Sequence, residues 1–374
     1  KLYKKGIAEP VLWTGDDCHY QKAEKFFGKI VFKDLLLKHR PYNIIDVDYN
    51  GEYYSFFESE NYLIAKDRCL KMMDRIDLYG TMSRIDREAY FHNLAIWALK
   101  NIDKTKPDFL LASENPHGHA QYLIYQLCIY LDIPIYKFAN WNLAPLIFLQ
   151  NELTKEIIPK PSKPHIDIDK KIEKDLEEYC DLISDSNDKF EFPYMINQKK
   201  SKKIIYRVYK FLKHDILDHF NDFKHNSFMF YKGTYNPINP YRLNFFTRLK
   251  IKSKRKKNLF KSIIKYSEDY DLNKKFIYFP LHFEPERTTN PDGDFFHDQL
   301  LAILKLRSFL PDDVYIYVKE HPSQINIADR GSRGRSPLFY KILKNIYKVK
   351  FLSPYEDSSS LTRKSLFTSS ITGS

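Results

Sequence analysis

The chain has 374 residues, enough for two domains or three. Hydrophobic residues make up 43%, aromatic residues 16% and charged residues 29%, and mean hydropathy is −0.52, which excludes both a polytopic membrane protein and a disordered chain. The net charge is +12, and the 11 glycines are about 3% of the chain against a usual ~7%, so a glycine-built phosphate grip has little raw material.

Cys18, Cys69, Cys128 and Cys180 form no C-x-x-C pair and read as free core thiols of a reducing, cytoplasmic compartment. No apolar run reaches the ~18 residues of a spanning helix. No signal peptide is read at Lys1, where no initiator Met stands either.

In chain order, Val11–Thr14 reads as a strand ending in the turn Gly15-Asp16-Asp17, and Ile44–Tyr49 as a second strand. Arg84–Ile102 has the apolar spacing of a long helix. After Pro107 come a buried strand Phe109–Ala112, the loop Ser113–His119, a helix Tyr122–Leu131 and a strand Ile133–Phe138. Strand, loop, helix and strand at this spacing predict a parallel sheet. Pro161 and Pro164 mark the exit from this domain, residues 1–160.

Residues 161–271 read as a basic, mainly helical insert. It carries Lys199–Lys203 and Lys250–Lys257, with aromatics interleaved from Tyr206 to Tyr231 and the pair Phe245-Phe246 just before the second cluster. A second α/β unit, residues 272–374, follows. Its predicted strands are Phe276–Leu281, Val314–Val318, Val349–Leu352 and Leu366–Ile371. Its predicted helices are Phe295–Phe309, with Leu300, Leu301, Ile303, Leu304 and Leu306 as the apolar side, Leu338–Ile346 and Ser358–Lys364. The last strand runs into Thr372-Gly373-Ser374, a turn that normally opens the next helix, so this domain is expected to be incomplete at Ser374. The fold class is α/β with two Rossmann-like domains and a basic helical insert.

Open α/β sheets bind ligands at the carboxyl ends of their strands, and the polar clusters fall at such ends. The second unit offers His282, Glu284, Glu286, Arg287, Thr288 and Thr289 after one strand, Lys319, Glu320, His321 and Gln324 after the next, and Thr372, Gly373 and Ser374 after the last. The first offers Glu114, His117 and His119 after one strand and Asp16, Asp17 and His19 after another. Each has a plainer reading: His321-Pro322 as a turn, Glu286-Arg287 as a surface ion pair, His117 and His119 as helix caps, and Asp16-Asp17 as a turn. No metal motif, no G-x-x-x-x-G-K-[ST] and no G-x-G-x-x-G occurs, so no metal and no cofactor is expected. His297-Asp298 reads as a structural pair on a helix face.

Phe279-Pro280-Leu281-His282-Phe283-Glu284-Pro285-Glu286-Arg287-Thr288-Thr289 is followed by Asp292-Gly293, Asp298-Gln299 and Tyr317-Val318-Lys319-Glu320-His321-Pro322-Ser323-Gln324. Together these resemble bacterial capsular and surface polysaccharide biosynthesis proteins, glycosyltransferases of the two-Rossmann-domain type B fold. Ser370-Ile371-Thr372-Gly373-Ser374 is similar to the start of that family's T-G-[ST]-A-G-W-E-A segment, and Glu114-Asn115-Pro116-His117 to its first-domain loop.

The resemblance implies metal-independent transfer of a sugar from a nucleotide-sugar donor, a substrate and not a cofactor, to a capsular or lipid-linked glycan. The donor site would comprise His282, Glu286, Arg287, Lys319, Glu320, His321, Thr372, Gly373 and Ser374 in the carboxyl-terminal nucleotide-sugar domain. The catalytic base on the acceptor side would be Glu114 or His117, then Asp17. The alternatives are a polyol-phosphate transferase of teichoic-acid type and a non-catalytic glycan- or nucleic-acid-binding protein. The basic middle reads as a solvated insert, as an anionic-membrane contact that places the enzyme peripherally on the inner face of the cytoplasmic membrane, or, less expected, as a nucleic-acid surface.

Overall fold

A computed structural model describes residues 6, 8–15, 23–27, 31–34, 53–75, 83–141, 146–152, 157–158, 174, 177, 245–286, 289–326, 331 and 334–372. The predicted strand Ile44–Tyr49, the exit at Pro161 and Pro164, Lys199–Lys203 with its aromatics, Cys18, Cys180, Asp16, Asp17, His19, Arg287, Thr288, Gly373 and Ser374 lie outside the described residues. The chain divides into two compact units. One comprises residues 1–12, 99–116 and 124–237, the other residues 13–98, 117–123 and 238–374. Among the described residues no helix is long and apolar enough to cross a membrane.

The first unit is built on a four-stranded sheet of β3 (Leu110–Ala112), β4 (Ile135–Trp141), β5 (Leu146–Asn151) and β6 (Ile157–Ile158), in that order. β3 and β4 are parallel, Leu110 opposite Ile135, as the spacing predicts. β4, β5 and β6 pair antiparallel, which corrects the expectation of a parallel sheet. Only four residues separate Trp141 from Leu146, enough for a hairpin and far too few for a crossover of about a dozen. Buried Glu152 closes this sheet, accepting from the Tyr125 hydroxyl at 2.8 Å and pairing with Lys137, whose ammonium also donates to Asn115 Oδ1 at 2.7 Å.

A two-stranded sheet, β1 (Leu12–Gly15) and β2 (Val31–Asp34), lies in the second unit apart from Leu12. Helices α1 (Tyr54–Phe57) and α2 (Glu60–Met72) follow, with Ser59 capping α2 by accepting from Tyr62 N at 3.1 Å. α3 (Arg84–Thr105) and α4 (His119–Tyr130) fall partly in each unit. Phe56, Cys69, Met72, Met73, Phe91 and Leu94 are almost completely buried.

The carboxyl-terminal part of this unit is a parallel sheet of β7 (Phe276–Pro280), β8 (Tyr315–Lys319) and β9 (Val349–Leu352), with β8 in the middle. Both faces are covered, as parallel sheets require. Phe279, Ile316, Val318 and Phe351 pack on one side with Ile303, Tyr340 and Leu343, and with Leu259 and Ile263 of α5 (Phe245–Tyr266). Phe276, Tyr278, Tyr317, Leu352 and Leu361 pack on the other, the Phe276 and Tyr317 rings stacked at 4.4 Å.

The predicted strand Leu366–Ile371 is not a full strand. It forms one parallel bridge, Tyr278 to Thr368, supported by Leu366 N to Phe276 O at 2.9 Å and Ser369 N to Tyr278 O at 2.9 Å. Leu366 and Phe367 are more than half and half exposed, 58% and 50%, so little apolar burial extends the pairing. The segment nevertheless lies against the edge of β7 that β8 leaves open. The parallel order is therefore β9, β8, β7 and the Thr368 segment.

The predicted helix Phe295–Phe309 breaks in two. A 3-10 turn Asp294–His297 precedes α6 (Gln299–Phe309), because the Asp298 side chain caps α6 by accepting from Leu300 N at 2.9 Å. Asp298 is thus a helix cap, not part of a helix face. Within α6, Ala302 and Ile303 are buried while Leu301 and Leu304 face solvent. After β8 come α7 (Pro322–Asn326), α8 (Pro337–Lys344) and, beyond β9, α9 (Ser358–Lys364).

Candidate functional site

The strand order makes the gap between β7 and the Thr368 segment a topological switch point: β7 connects forward to β8 on one side, and the chain returns to β7's other side. Ligand crevices of open parallel sheets lie at the carboxyl ends of the strands flanking such a point. Here those ends carry His282, Ser370 and Thr372. Nε2 of His282 lies 2.9 Å from Ser370 Oγ and 3.5 Å from Thr372 N, and the Ser370 hydroxyl donates to Thr372 O at 2.8 Å. The sequence-predicted residues His282 and Thr372 are therefore brought together.

The chain beyond β7 is held by two buried glutamine amides, each acting as a strand neighbour would. Gln299 Oε1 accepts from His282 N at 2.8 Å, and its Nε2 donates to His282 O at 3.1 Å and to Glu284 Oε1 at 3.1 Å. Gln324 Oε1 accepts from Glu284 N at 2.9 Å, and its Nε2 donates to Glu284 O at 2.9 Å and Gly331 O at 2.7 Å. Gly334 lies so close that an added Cβ would stand 2.3 Å from Glu284 Cβ.

Glu320 is buried and fully engaged. It pairs with Arg335 through Nε to Oε2 at 3.0 Å, accepts from the Tyr340 hydroxyl at 2.7 Å and accepts from His321 N at 2.9 Å. Arg335 also donates to His282 O at 3.0 Å. Burial alone would pull the Arg335 pKa down, but Glu320, Tyr340 and Glu284 outweigh it and the pKa is raised. Burial and Glu320 together push Tyr340 well up.

Lys319 differs. It is 6% exposed and donates to Ser358 Oγ at 2.6 Å, yet among the described residues no carboxylate lies within ion-pair distance. Burial lowers its pKa, partly offset by Asp357 and Glu356. A buried ammonium with one hydroxyl partner has donors to spare and charge to neutralise. His321 sits beside it. Its Nδ1 accepts from Ser323 N at 3.1 Å, which leaves the proton of the neutral ring on Nε2. Burial, then His282, Lys319 and Arg335, depress its pKa to about 4, so it is neutral at pH 7. Burial likewise lowers His282.

The loop after β7 meets a basic edge of α2 and the 3-10 turn Met73–Arg75. Arg75 donates to the carbonyls of Glu286 (2.7 Å), Asn290 and His117. One guanidinium thus joins the predicted residues His117 and Glu286 through their backbones. Lys71 stands 3.9 Å from Glu284 Oε1 and 3.2 Å from His297 Nδ1, whose Nε2 is 3.0 Å from Asp67 Oδ2. His119 is buried at the start of α4, and burial and then Arg75 lower its pKa to about 3. Glu114 is half-buried in the bend after β3, in the first unit.

Sequence reasoning missed Lys71, Arg75, Arg335, Ser358 and Arg68, whose guanidinium donates to Asp294 Oδ1 at 2.6 Å and whose carbonyl accepts from Asn290 Nδ2 at 3.1 Å. The spacing 68, 71, 75 puts three cations on one helical face, a signal that was available. Arg335 stands in the stretch Gly331-Ser332-Arg333-Gly334-Arg335-Ser336, where no sequence pattern singles it out. Among the described residues no group of three His, Cys, Asp or Glu side chains could hold a metal ion.

This geometry defines a mixed α/β protein whose carboxyl-terminal parallel sheet has a strand-order switch, with His282, Ser370 and Thr372 at the strand ends that flank it. No protein-family model and no curated protein matches the chain. Among solved structures it is similar to the UDP-GlcNAc 2-epimerase of Methanocaldococcus jannaschii, at 13% identity over 82% of this chain and 75% of that one, with a TM-score of 0.20. A likeness that slight carries no argument about activity.

Proposed function

We propose that the chain is a glycosyltransferase of type B architecture, taking a sugar from a nucleotide donor to a surface glycan or lipid-linked glycan without a metal. The observation that supports it most is the buried Lys319 ammonium, held by Ser358 at the carboxyl end of β8, the strand beside β7, where Leu281 N donates to Lys319 O at 2.9 Å just before His282. A leaving nucleotide carries phosphate charge, and an unmatched cation with free donors in a desolvated site is what that charge needs. Neutral His321 would donate from Nε2 to a phosphate or sugar oxygen, and Thr372, Gly373 and Ser374 would add backbone N–H groups. Arg287 would bring a second charge. Glu320, which the sequence suggests as a donor contact, would serve here as the counter-ion that fixes Arg335.

For the base, the proposal favours His117 over Glu114 and Asp17, because Arg75 ties the His117 backbone to that of Glu286. His117 would take the proton of the attacking hydroxyl as the sugar–phosphate bond breaks. The test is a hydrolysis and transfer screen over nucleotide sugars and CDP-polyols. Turnover of a sugar nucleotide that is lost in Lys319→Met supports the reading. Turnover of a CDP-polyol and of no sugar nucleotide rejects it in favour of polyol-phosphate transfer.

A further inference from the structure

Helix α5 is two-faced. Leu259 and Ile263 are buried in the core beneath the parallel sheet, and Tyr266 packs beside them. On the far side Lys250, Lys254, Lys257, Lys261 and Lys265 are all exposed. At 100° per residue these five lie within an arc of about 80°, in one stripe about 22 Å long. Apart from Lys265 resting over the Tyr266 ring, none of the five has a partner among the described residues. The helix contains no Asp or Glu, so nothing on it neutralises the stripe. Phe260 and Ile264 line one flank and are 37% and 46% exposed.

We infer that this face of α5 is a docking surface for an anionic lipid bilayer. The argument is charge complementarity together with the apolar flank. Unpaired lysines in a row are attracted to a negatively charged surface, and apolar side chains along one edge can enter the headgroup boundary. A single-stranded nucleic acid would need aromatic faces beside the charge for base stacking, and the stripe offers one, Phe260. The inference does not depend on glycosyl transfer, since none of the residues joined at the switch point, His282, Ser370 and Thr372, lies on this helix.

The test is co-sedimentation of the full chain with vesicles of phosphatidylcholine containing phosphatidylglycerol, and with vesicles of phosphatidylcholine alone. A charge at a strongly anionic surface changes partitioning about five-fold, so Lys254→Gln, Lys257→Gln and Lys261→Gln together should weaken binding on the order of 100-fold. Lys274→Gln, Lys341→Gln and Lys344→Gln remove the same charge from elsewhere and should change it little. Binding should weaken as salt rises, since the Debye length falls from about 10 Å at 0.1 M to about 3 Å at 1 M. Glutamine keeps the helix propensity of lysine, and an unchanged thermal midpoint will show that the variants fold. Equal losses in the two triple variants, or equal binding to neutral vesicles, would overturn the inference. So would binding of a short single-stranded oligonucleotide in place of vesicles. Donor turnover is read separately, so failure here leaves the transfer reading standing and the reverse also holds.

Discussion

Nε2 of His282 and Oγ of Ser370 stand 2.9 Å apart and join the chain leaving β7 to the chain leaving the Thr368 segment. This one contact spans the two strand ends that flank the switch point. Ser370→Ala removes it without adding bulk. It should cost about 1 kcal/mol of stability, the worth of one hydrogen bond, while loosening the crevice. Nucleotide-sugar affinity, followed by calorimetry, should fall more than stability does. Unchanged affinity would place the donor elsewhere.

Glu320 and Lys319 are neighbours with opposite expected behaviour. Glu320→Gln leaves buried Arg335 without its charge partner and should cost about 3–5 kcal/mol in denaturant unfolding. Lys319→Met replaces a buried, carboxylate-free ammonium with an apolar chain. It should leave stability unchanged or raise it, while donor affinity drops about 10- to 100-fold. A Lys319→Met protein as unstable as Glu320→Gln would mean that Lys319 is a structural cation.

His321 sets a pH dependence. Its pKa is about 4 in the folded chain against 6.5 for an ordinary histidine, so between those values the unfolded chain binds more protons. Stability is then full above pH 6.5 and declines as pH falls towards 4. Buried His119, at about 3, adds in the same direction. His321→Asn keeps a short acceptor for Ser323 N and cannot titrate, so its unfolding free energy should change less between pH 7 and pH 4.5. Parallel curves for the two proteins would count against a buried neutral His321.

The second unit's sheet was legible because its strands are buried on both faces and so appear as apolar runs: Phe276–Leu281, Val314–Val318 and Val349–Leu352 each fall within a residue of the observed strand. In the first sheet the parallel pair β3–β4 was legible, but no strand was expected over Leu146–Asn151 or Ile157–Ile158, and the antiparallel direction follows from the short connection after Trp141. The site was legible as a set of strand ends but not as a network. Glu320 is polar at a strand end whether it meets a ligand or Arg335, and only the distance to Arg335 distinguishes the two. Arg75 contributes through carbonyl oxygens, which every residue possesses and no sequence pattern displays.

Arg75 itself gives the sharpest division between holding and binding. Its planar fork reaches the carbonyls of His117, Glu286 and Asn290 at once. Lysine keeps the charge but has no fork, so Arg75→Lys should lose at least one of these bonds and about 1–3 kcal/mol of stability. If His117 is the base, its backbone then shifts relative to the loop that follows β7, and the chemical step suffers. Donor binding, which the proposed function assigns to Lys319 and the switch point, should hold. We therefore expect kcat to fall at least ten-fold with nucleotide affinity nearly unchanged, and His117→Asn to show the same split. A loss of affinity as large as the loss of kcat would show that Arg75 serves the donor site, and would return the choice of base to Glu114.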